Sequence, residues 1–465
     1  MSGRRRRSAR NLHERSRACG VWPEACDILT GGGSFVPKQD IACQEKTMSA
    51  QSGEILSVTR PPVRRHGRGR SACFRAGYDA RLAHVAGITL YESFEAAEPV
   101  WRAFEARATG TAFQSFDWLS AWYARVGKAL GIAPAIAVVT RQGEPVLLAP
   151  LGIERRSGLR RLVWLGGKLA DYKAPLVDAG YAARMDGEEF ARLWHRLRRA
   201  LPRHDLIMLE NQPVSLGSPS APVANPFALL PGARAPDAAY LFDLPPDFET
   251  FSQRYRAETR RIDRAKLRKL EAKGEVTFRH AETPGDMISM VEGILARKAE
   301  QLAAQGITSI FDDPDYLAAW RDLAALPAER RLLDVAELRL DGAFLSGSIS
   351  HVRHDHSTLM VHTYDATKFP RLSPGRLHLL KHLQSSIERG IAVYDLSVGH
   401  AAYKESFCDA PMEMRHSIMG ASIAGYPVAL ALRAALAAKR HIKADPRLMA
   451  FLRKLRSLRA TQGRG

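Results

Sequence analysis

Ser373-Pro374-Gly375-Arg376 is the stretch of this 465-residue chain best suited to hold an anion. Pro374 suits the first turn of a helix, Ser373 suits the cap before it, and Gly375 permits close approach of a ligand to the main chain. A helix that opens there aims unpaired N–H groups and a positive dipole end at one point, and phosphate is well held at such a point. Arg371 and Arg376 flank the turn with charge. The same residues also make an ordinary helix start. Further on stand Asp395, His400, Tyr403 and Lys404. An imidazole titrates near neutrality and suits proton transfer. Lys404 could hold an anionic acceptor or a phosphate, and Asp395 could position an acceptor or close a turn. Each equally suits surface or packing duty.

Position depends on the elements around these residues. Residues 335–340 and 343–352 alternate about Asp341-Gly342, a hairpin signal. Residues 357–364 read as a third strand, 374–388 as an amphipathic helix and 392–396 as a last strand, with 413–419 closing the same unit. Before them, 240–244 reads as a strand, 248–273 as a very basic helix, 276–280 as a strand, and 286–305 and 315–326 as helices. The basic helix spreads its Arg and Lys around its circumference, as a solvated surface does; a few could meet a polyanionic ligand.

An earlier unit, 86–210, has the same gross order: strand, helices, a hairpin about Gln142-Gly143, helix, strand. That suggests duplication without a residue-level repeat. Asp171-Tyr172-Lys173, after Gly166-Gly167, is placed to line a cleft between the units. Residues 211–239 hold six prolines and read as a linker. Residues 1–85 are rich in Arg, Gly, Ser and Pro and read as a disordered extension, or as a stretch upstream of a start at Met48. Residues 421–465 read as a basic amphipathic helical tail.

The net charge of +19 sits at the two ends: 1–85 and 421–465 each carry +9, and the middle only +1. A nucleic-acid-binding fold needs a basic face on its folded body, so nucleic acid is not an expected partner. The basic tail suits peripheral contact with an anionic membrane. No apolar run is long enough to span a bilayer. Cys19, Cys26, Cys43, Cys73 and Cys408 form no CxxC, which fits a reducing cytoplasm. His351, His354 and His356 lack an acidic or cysteine partner and alternate across a strand, so no metal site is expected.

The ordered set FSQRYRAETRRIDRAKLRKLEAKGEVTF (251–278), LRLDGAFLSGSISHV, LMVHTYDATK, LSPGRLHLLKHLQSSIERG and VYDLSVGHAAYKESF resembles the BioF2-like/CelD family of GNAT acyltransferases. FQSFDWLSAWYARVG (113–127) and LVWLGGKLADYKAPLV (162–177) resemble its first-unit signatures. The resemblance covers residues 87–420. It implies an α/β (α+β) fold of tandem GNAT-like units, each a mixed, mostly antiparallel sheet flanked by helices, also seen in Fem-type aminoacyl transferases. It further implies an acetyl-CoA or other acyl-CoA donor, and a small-molecule or glycan acceptor tied to polysaccharide or cellulose synthesis. The pantetheine arm would pair with the strand holding Leu345, Gly347 and Ser348, and its pyrophosphate would meet Arg371, Ser373, Gly375 and Arg376. Tyr403 would protonate the departing thiolate and His400 would act as base; Asp395 is the third catalytic candidate, placed to position the acceptor, and Lys404 and Tyr172 are the candidates to meet it. The superfamily's phosphate loop usually reads Gln/Arg-x-x-Gly-x-Gly/Ala, whereas this chain has RLSPGR. Two further readings are aminoacyl transfer from tRNA and an inactive scaffold in a polysaccharide-synthesis complex.

Overall fold

A computed structural model describes residues 87–408 and 410–445. The expectations for 1–85 and for the tail beyond 445 lie outside these residues. The first sheet begins with β1 (Gly87–Tyr91), followed by helices α1 (Phe94–Glu105) and α2 (Phe116–Trp122). Strands β2 (Ala133–Arg141), β3 (Glu144–Arg156), β4 (Leu159–Trp164) and the short β5 (Leu176–Val177) follow. Then come α3 (Ala179–Ala183), α4 (Gly187–Ala200) and β6 (Leu206–Pro213). The apolar face of α4, with Phe190, Leu193, Trp194 and Leu197, is buried against this sheet.

The stretch expected to be a linker is folded. It forms a hairpin of β7 (Ser215–Gly217) and β8 (Pro222–Ala224), then β9 (Ala233–Arg234) at an edge of the first sheet. Its prolines fall in turns, in the two-stranded hairpin and, for Pro213, at the last residue of β6, positions where proline is tolerated.

The second sheet takes β10 (Ala239–Asp243), then helices α5 (Phe248–Ser252) and α6 (Ala257–Glu271). The basic helix is thus broken in two, at 253–256. Next come β11 (Val276–His280), α7 (Pro284–Ala303) and α8 (Pro314–Ala324). Strands β12 (Leu333–Leu340), β13 (Ala343–Arg353) and β14 (His356–Tyr364), helix α9 (Pro374–Glu388), strand β15 (Val393–Val398) and the short α10 (Ala402–Glu405) complete it. Asp341 and Gly342 both have positive φ (47° and 74°), as a tight β12–β13 turn requires. Helices α7 and α8 cover one face; α5, α6 and α9 cover the other.

The strand β16 (Met414–Gly420) corrects the expectation that it closes the second unit. It crosses back and lies between β6 and β9 of the first sheet. In exchange, β10 pairs with β15 in the second. The two sheets then have one plan: three antiparallel pairings, a parallel pairing, and an antiparallel strand beyond it. The last helix, α11 (Gly425–Ala444), packs Ala429, Leu432 and Leu436 on β6 and β16.

One apolar core runs through both units. Trp118 meets Trp320 edge-on at 5.6 Å, and Phe113 and Trp118 pack on His351. Asp117 is gripped by Arg102 of its own unit and Arg330 of the other. Ile418, 3% exposed, fills the β16 contact that ties the end of the chain to the first sheet. Ile418→Ala should cost about 2–4 kcal/mol of unfolding free energy, read by urea titration. A loss below half a kcal/mol would mean that this swapped strand is not integral.

Candidate functional site between the diverging strands

The parallel pair β14–β15 lasts three residues, His356–Thr358 against Val393–Asp395. Beyond it the strands part. Ser397 sits at φ 62° and Gly399 at φ 104°, so the chain turns away at the end of β15. A serine in the left-handed region is strained by roughly 1 kcal/mol and needs neighbours to hold it. Those neighbours are Asp395, whose Oδ1 accepts from the Ser397 N–H at 2.6 Å, and Asp171, whose carboxylate accepts from the Ser397 hydroxyl.

Between Ser350↔Leu359 and Ile349↔Val361 the β13–β14 register slips, and Met360 is the extra residue. A bulge of this kind re-aims the backbone around it. Past it, the Asp365 N–H donates to the Leu345 carbonyl at 2.9 Å. This sets the parity: Thr363 and Asp365 turn their polar groups to β13, and His362 and Tyr364 turn theirs to the open side. Leu345, Gly347 and Ser348 are therefore corrected as cofactor contacts. They lie in an interior strand, with β12 on one side and β14 on the other, which leaves them no free main-chain edge. The free edge belongs to β14. Ser348 instead bonds to His378 at 2.8 Å.

A cleft of about 750 Å³, open mouth included, lies against this edge. Met360 and Val361 of β14 form one wall; Leu302 and Trp320 form another. The first unit supplies Phe113, Lys168 and Asp171. Burial raises the Asp171 carboxyl above its ordinary range, and the Ser397 hydrogen bond only partly offsets this. A carboxyl so placed can exchange a proton with a group in the cleft.

The corresponding opening in the first sheet is filled. There the Lys173 N–H donates to the carbonyl of Asn211, itself at φ 54°, at 2.9 Å. The segment that closes the first opening thereby carries Asp171 and Tyr172 to the second. Tyr172 is fully buried and its hydroxyl donates to Asp395 Oδ1 at 2.7 Å. It ties the two units together and presents no surface to an acceptor, which corrects its expected role. Asp395, 1% exposed, is likewise spent on Tyr172 and Ser397, with His356 Nε2 at 3.5 Å.

At the start of α9 the expected cap is absent. Ser373 lies at φ 53°, and its hydroxyl accepts from Lys266 Nζ at 2.8 Å instead of capping the helix. The Arg376 and Leu377 amides are taken by the Ser373 carbonyl, so the loop offers the Gly375 N–H. Gly375 is buried, and a Cβ there would come within 3.0 Å of the Tyr364 ring, so its smallness also serves packing. Arg376 is held by Asp263 through three bonds of 2.8–3.0 Å and is not free for a ligand. Arg371 is exposed beside the loop, and Lys273 lies over the Phe369 ring. Helix α6 and the residues just after it thus bring Lys266 and Lys273 to this loop, which the sequence pattern alone did not reveal.

His400 is half exposed and meets Tyr240 and Glu405 rather than the cleft. Tyr403 packs on the aromatic cluster of Phe242, Phe251 and Phe407, where burial pushes its hydroxyl well above an ordinary phenol. Lys404, 5% exposed, turns inward and donates to the Ser397 and Val398 carbonyls at 3.3 and 3.1 Å. Lys298 of α7, 3% exposed, donates to the His362 carbonyl at 3.1 Å and was not foreseen. A lone Lys on an amphipathic helix carries no signal in sequence. Among the described residues no group of three or more His, Cys, Asp or Glu is placed to hold a metal.

No curated protein matches this chain in sequence. Residues 257–405 match the family model of an acetyltransferase (GNAT) domain. Among solved structures, FemX is similar at 12% identity, over 72% of this chain and 98% of its own, with a TM-score of 0.49. The C-terminal domain of a putative lysylphosphatidylglycerol synthetase from Agrobacterium fabrum is similar at 15% identity, over 73% and 95%, TM-score 0.41. A tandem GNAT protein from the clavulanic acid biosynthesis pathway is similar at 12% identity, over 72% and 98%, TM-score 0.39. The matched domain runs from α6 to α10 and contains the whole open edge of β14. Residues 257–405 are thus a GNAT acetyltransferase domain, of a class that uses acyl-CoA donors, and this domain supports an acyltransferase.

Burial holds the His351 and His362 imidazoles down to about 3. Both are neutral in the fold but titrate near 6.5 when unfolded. Below pH 6.5 the unfolded chain takes up protons that the folded one refuses, so stability falls with pH from 6.5 toward 3. Each imidazole should remove about 1.4 kcal/mol per pH unit in that window. Urea midpoints measured from pH 7 to 4.5 should fall steadily; a flat profile would contradict the buried, neutral assignment.

Proposed function

We propose that the open edge of β14 binds the pantetheine arm of an acyl-CoA, and that the acyl group passes directly to an amine or hydroxyl in the adjoining cleft. The observation that carries this is the divergence of β14 from β15 after three paired residues, beside a bulge and a cleft. An extended arm with amides can add to such an edge as a strand would. Main-chain N–H groups re-aimed around Met360 can polarise the thioester carbonyl. The diphosphate would lie near the Gly375 N–H, with Lys266 and Arg371 beside it.

Asp171 is the proton acceptor in this reading, because it lines the cleft, whereas His400 does not. The departing thiolate takes its proton from Tyr403, whose hydroxyl stays protonated, or from Lys404, which burial brings down to about 8. The acceptor is read as a saccharide precursor or envelope glycan, on the family resemblance. Calorimetry with acetyl-CoA should show saturable binding, weakened about tenfold when Lys266 and Arg371 are both changed to Glu. Asp171→Asn should leave that binding intact and slow CoA release to amino-sugar acceptors about a hundredfold or more. Absent acetyl-CoA binding would sink the donor assignment, and unchanged turnover would remove Asp171 from the reaction.

The outward side of α11 and the turn before it support a membrane-facing role. Ile423, Tyr426 and Leu430 are 94, 66 and 70% exposed, next to an exposed Arg433 and a partly exposed Arg440. No helix among the described residues is long and apolar enough to cross a bilayer. Apolar side chains beside cations suit the interface of an anionic membrane. Tyr426→Ser with Leu430→Ser should lower partitioning onto phosphatidylserine-containing vesicles about tenfold. Equal sedimentation with vesicles would discard this contact.

A further inference from the structure

We propose that the cleft beside the β14 bulge takes a medium-length aliphatic acyl chain on the donor thioester, longer than acetyl. This rests on the reading of the β14 edge as the donor groove and narrows the substrate class of that groove. Met360, the extra residue of the bulge, packs on the apolar core shared with α7 and α8 and lines the cleft. Leu302 of α7 and Trp320 of α8 line it from the helices. The connection between those helices, 304–313, adds Ile307, Ile310 and Phe311, all only partly buried. It is held in place: the Ile307 N–H donates to the Leu302 carbonyl and the Phe311 N–H to the Ser309 hydroxyl, both at 3.0 Å.

Apolar side chains around a cleft gain most from a ligand that takes them out of water. An acetyl methyl covers little of this lining. A sugar covers it with hydroxyls, which need partners when they leave water. The polar side chains here are Lys168, Asp171, Thr308 and Ser309. Ser309 already accepts from the Phe311 N–H, and Asp171 from the Ser397 hydroxyl. The volume of about 750 Å³, open mouth included, lies within the roughly 300–1,000 Å³ usual for ligand pockets, which are lined mostly by apolar groups with a few polar ones.

Continuity along β14 gives the chain to the donor. Gly375 lies against the Tyr364 and His362 rings, so in this reading the diphosphate end of the arm meets the strand near residues 362–364. The thioester end then lies at the bulge, and a chain leaving the carbonyl there enters the cleft. Lys168 and Asp171, both from the first unit, are left to the acceptor's amine or hydroxyl.

Acetyl-CoA and octanoyl-CoA are titrated by calorimetry into the full chain, into Ile310→Ser with Phe311→Ser, and into Ile307→Trp, which fills the rim of the cleft. Each buried methylene is worth about fourfold in affinity, so covering about half of those that octanoyl adds should make it bind roughly a hundredfold tighter than acetyl-CoA. That ratio should fall about tenfold in either variant. The substituted positions are all partly exposed, and a melting temperature for each variant shows that it is folded. Acetyl transfer from acetyl-CoA to octylamine and to ethanolamine is compared alongside. Equal affinity for the two esters would overturn the chain site and leave the donor groove standing. A preference that both variants keep would put the chain elsewhere and overturn it too. A preference for octylamine with equal ester affinities would give the apolar lining to the acceptor and overturn the placing of the chain on the donor. Binding of neither ester would overturn the donor groove, and the chain site with it.

Discussion

The buried carboxylate of Asp395 is the interaction on which the site depends. At 1% exposure its charge must be met by donors, and it takes them from Tyr172 of one unit and from the Ser397 amide of its own strand. The second bond holds Ser397 in the left-handed region, which swings β15 away from β14. The first fixes the loop that brings Asp171 to the cleft. One carboxylate therefore holds both the turn at which β15 leaves β14 and the segment that lines the cleft.

The duplication gives this arrangement its logic. Two sheets of one plan have each a place where parallel strands part. In the first, Lys173 closes it by bonding to Asn211. In the second it stays open. A single peptide segment fills one and lines the other, so the candidate site draws residues from both units. The exchange of β10 and β16 and the shared aromatic core of Trp118 and Trp320 bind the units in the same sense.

Much of the fold was legible. The hairpin at Asp341-Gly342, the strands around it, the helix from Pro374 and the strand after Gly390 follow from turn chemistry and period, and all stand where expected. The prolines of 211–239 misled, because proline marks edges and turns as readily as linkers. The placement of β16 also misled: an alternating strand states that it has a buried face, not which sheet it joins.

For the site, the sequence determined which residues have useful chemistry and which local turns they occupy: a Gly-bearing loop before a helix, an Asp-Tyr-Lys run after paired glycines, a cluster of polar residues after the last strand. Those are properties of residue type and near neighbours. Only the tertiary structure decided which of them meet. It spent Arg376 on Asp263 and Tyr172 on Asp395, turned His400 outward, enclosed Gly347 between strands, and took Lys298 to the His362 carbonyl of β14 and Lys404 to the Ser397 and Val398 carbonyls of β15. Pairing across such separations depends on register and packing direction, which no local pattern encodes.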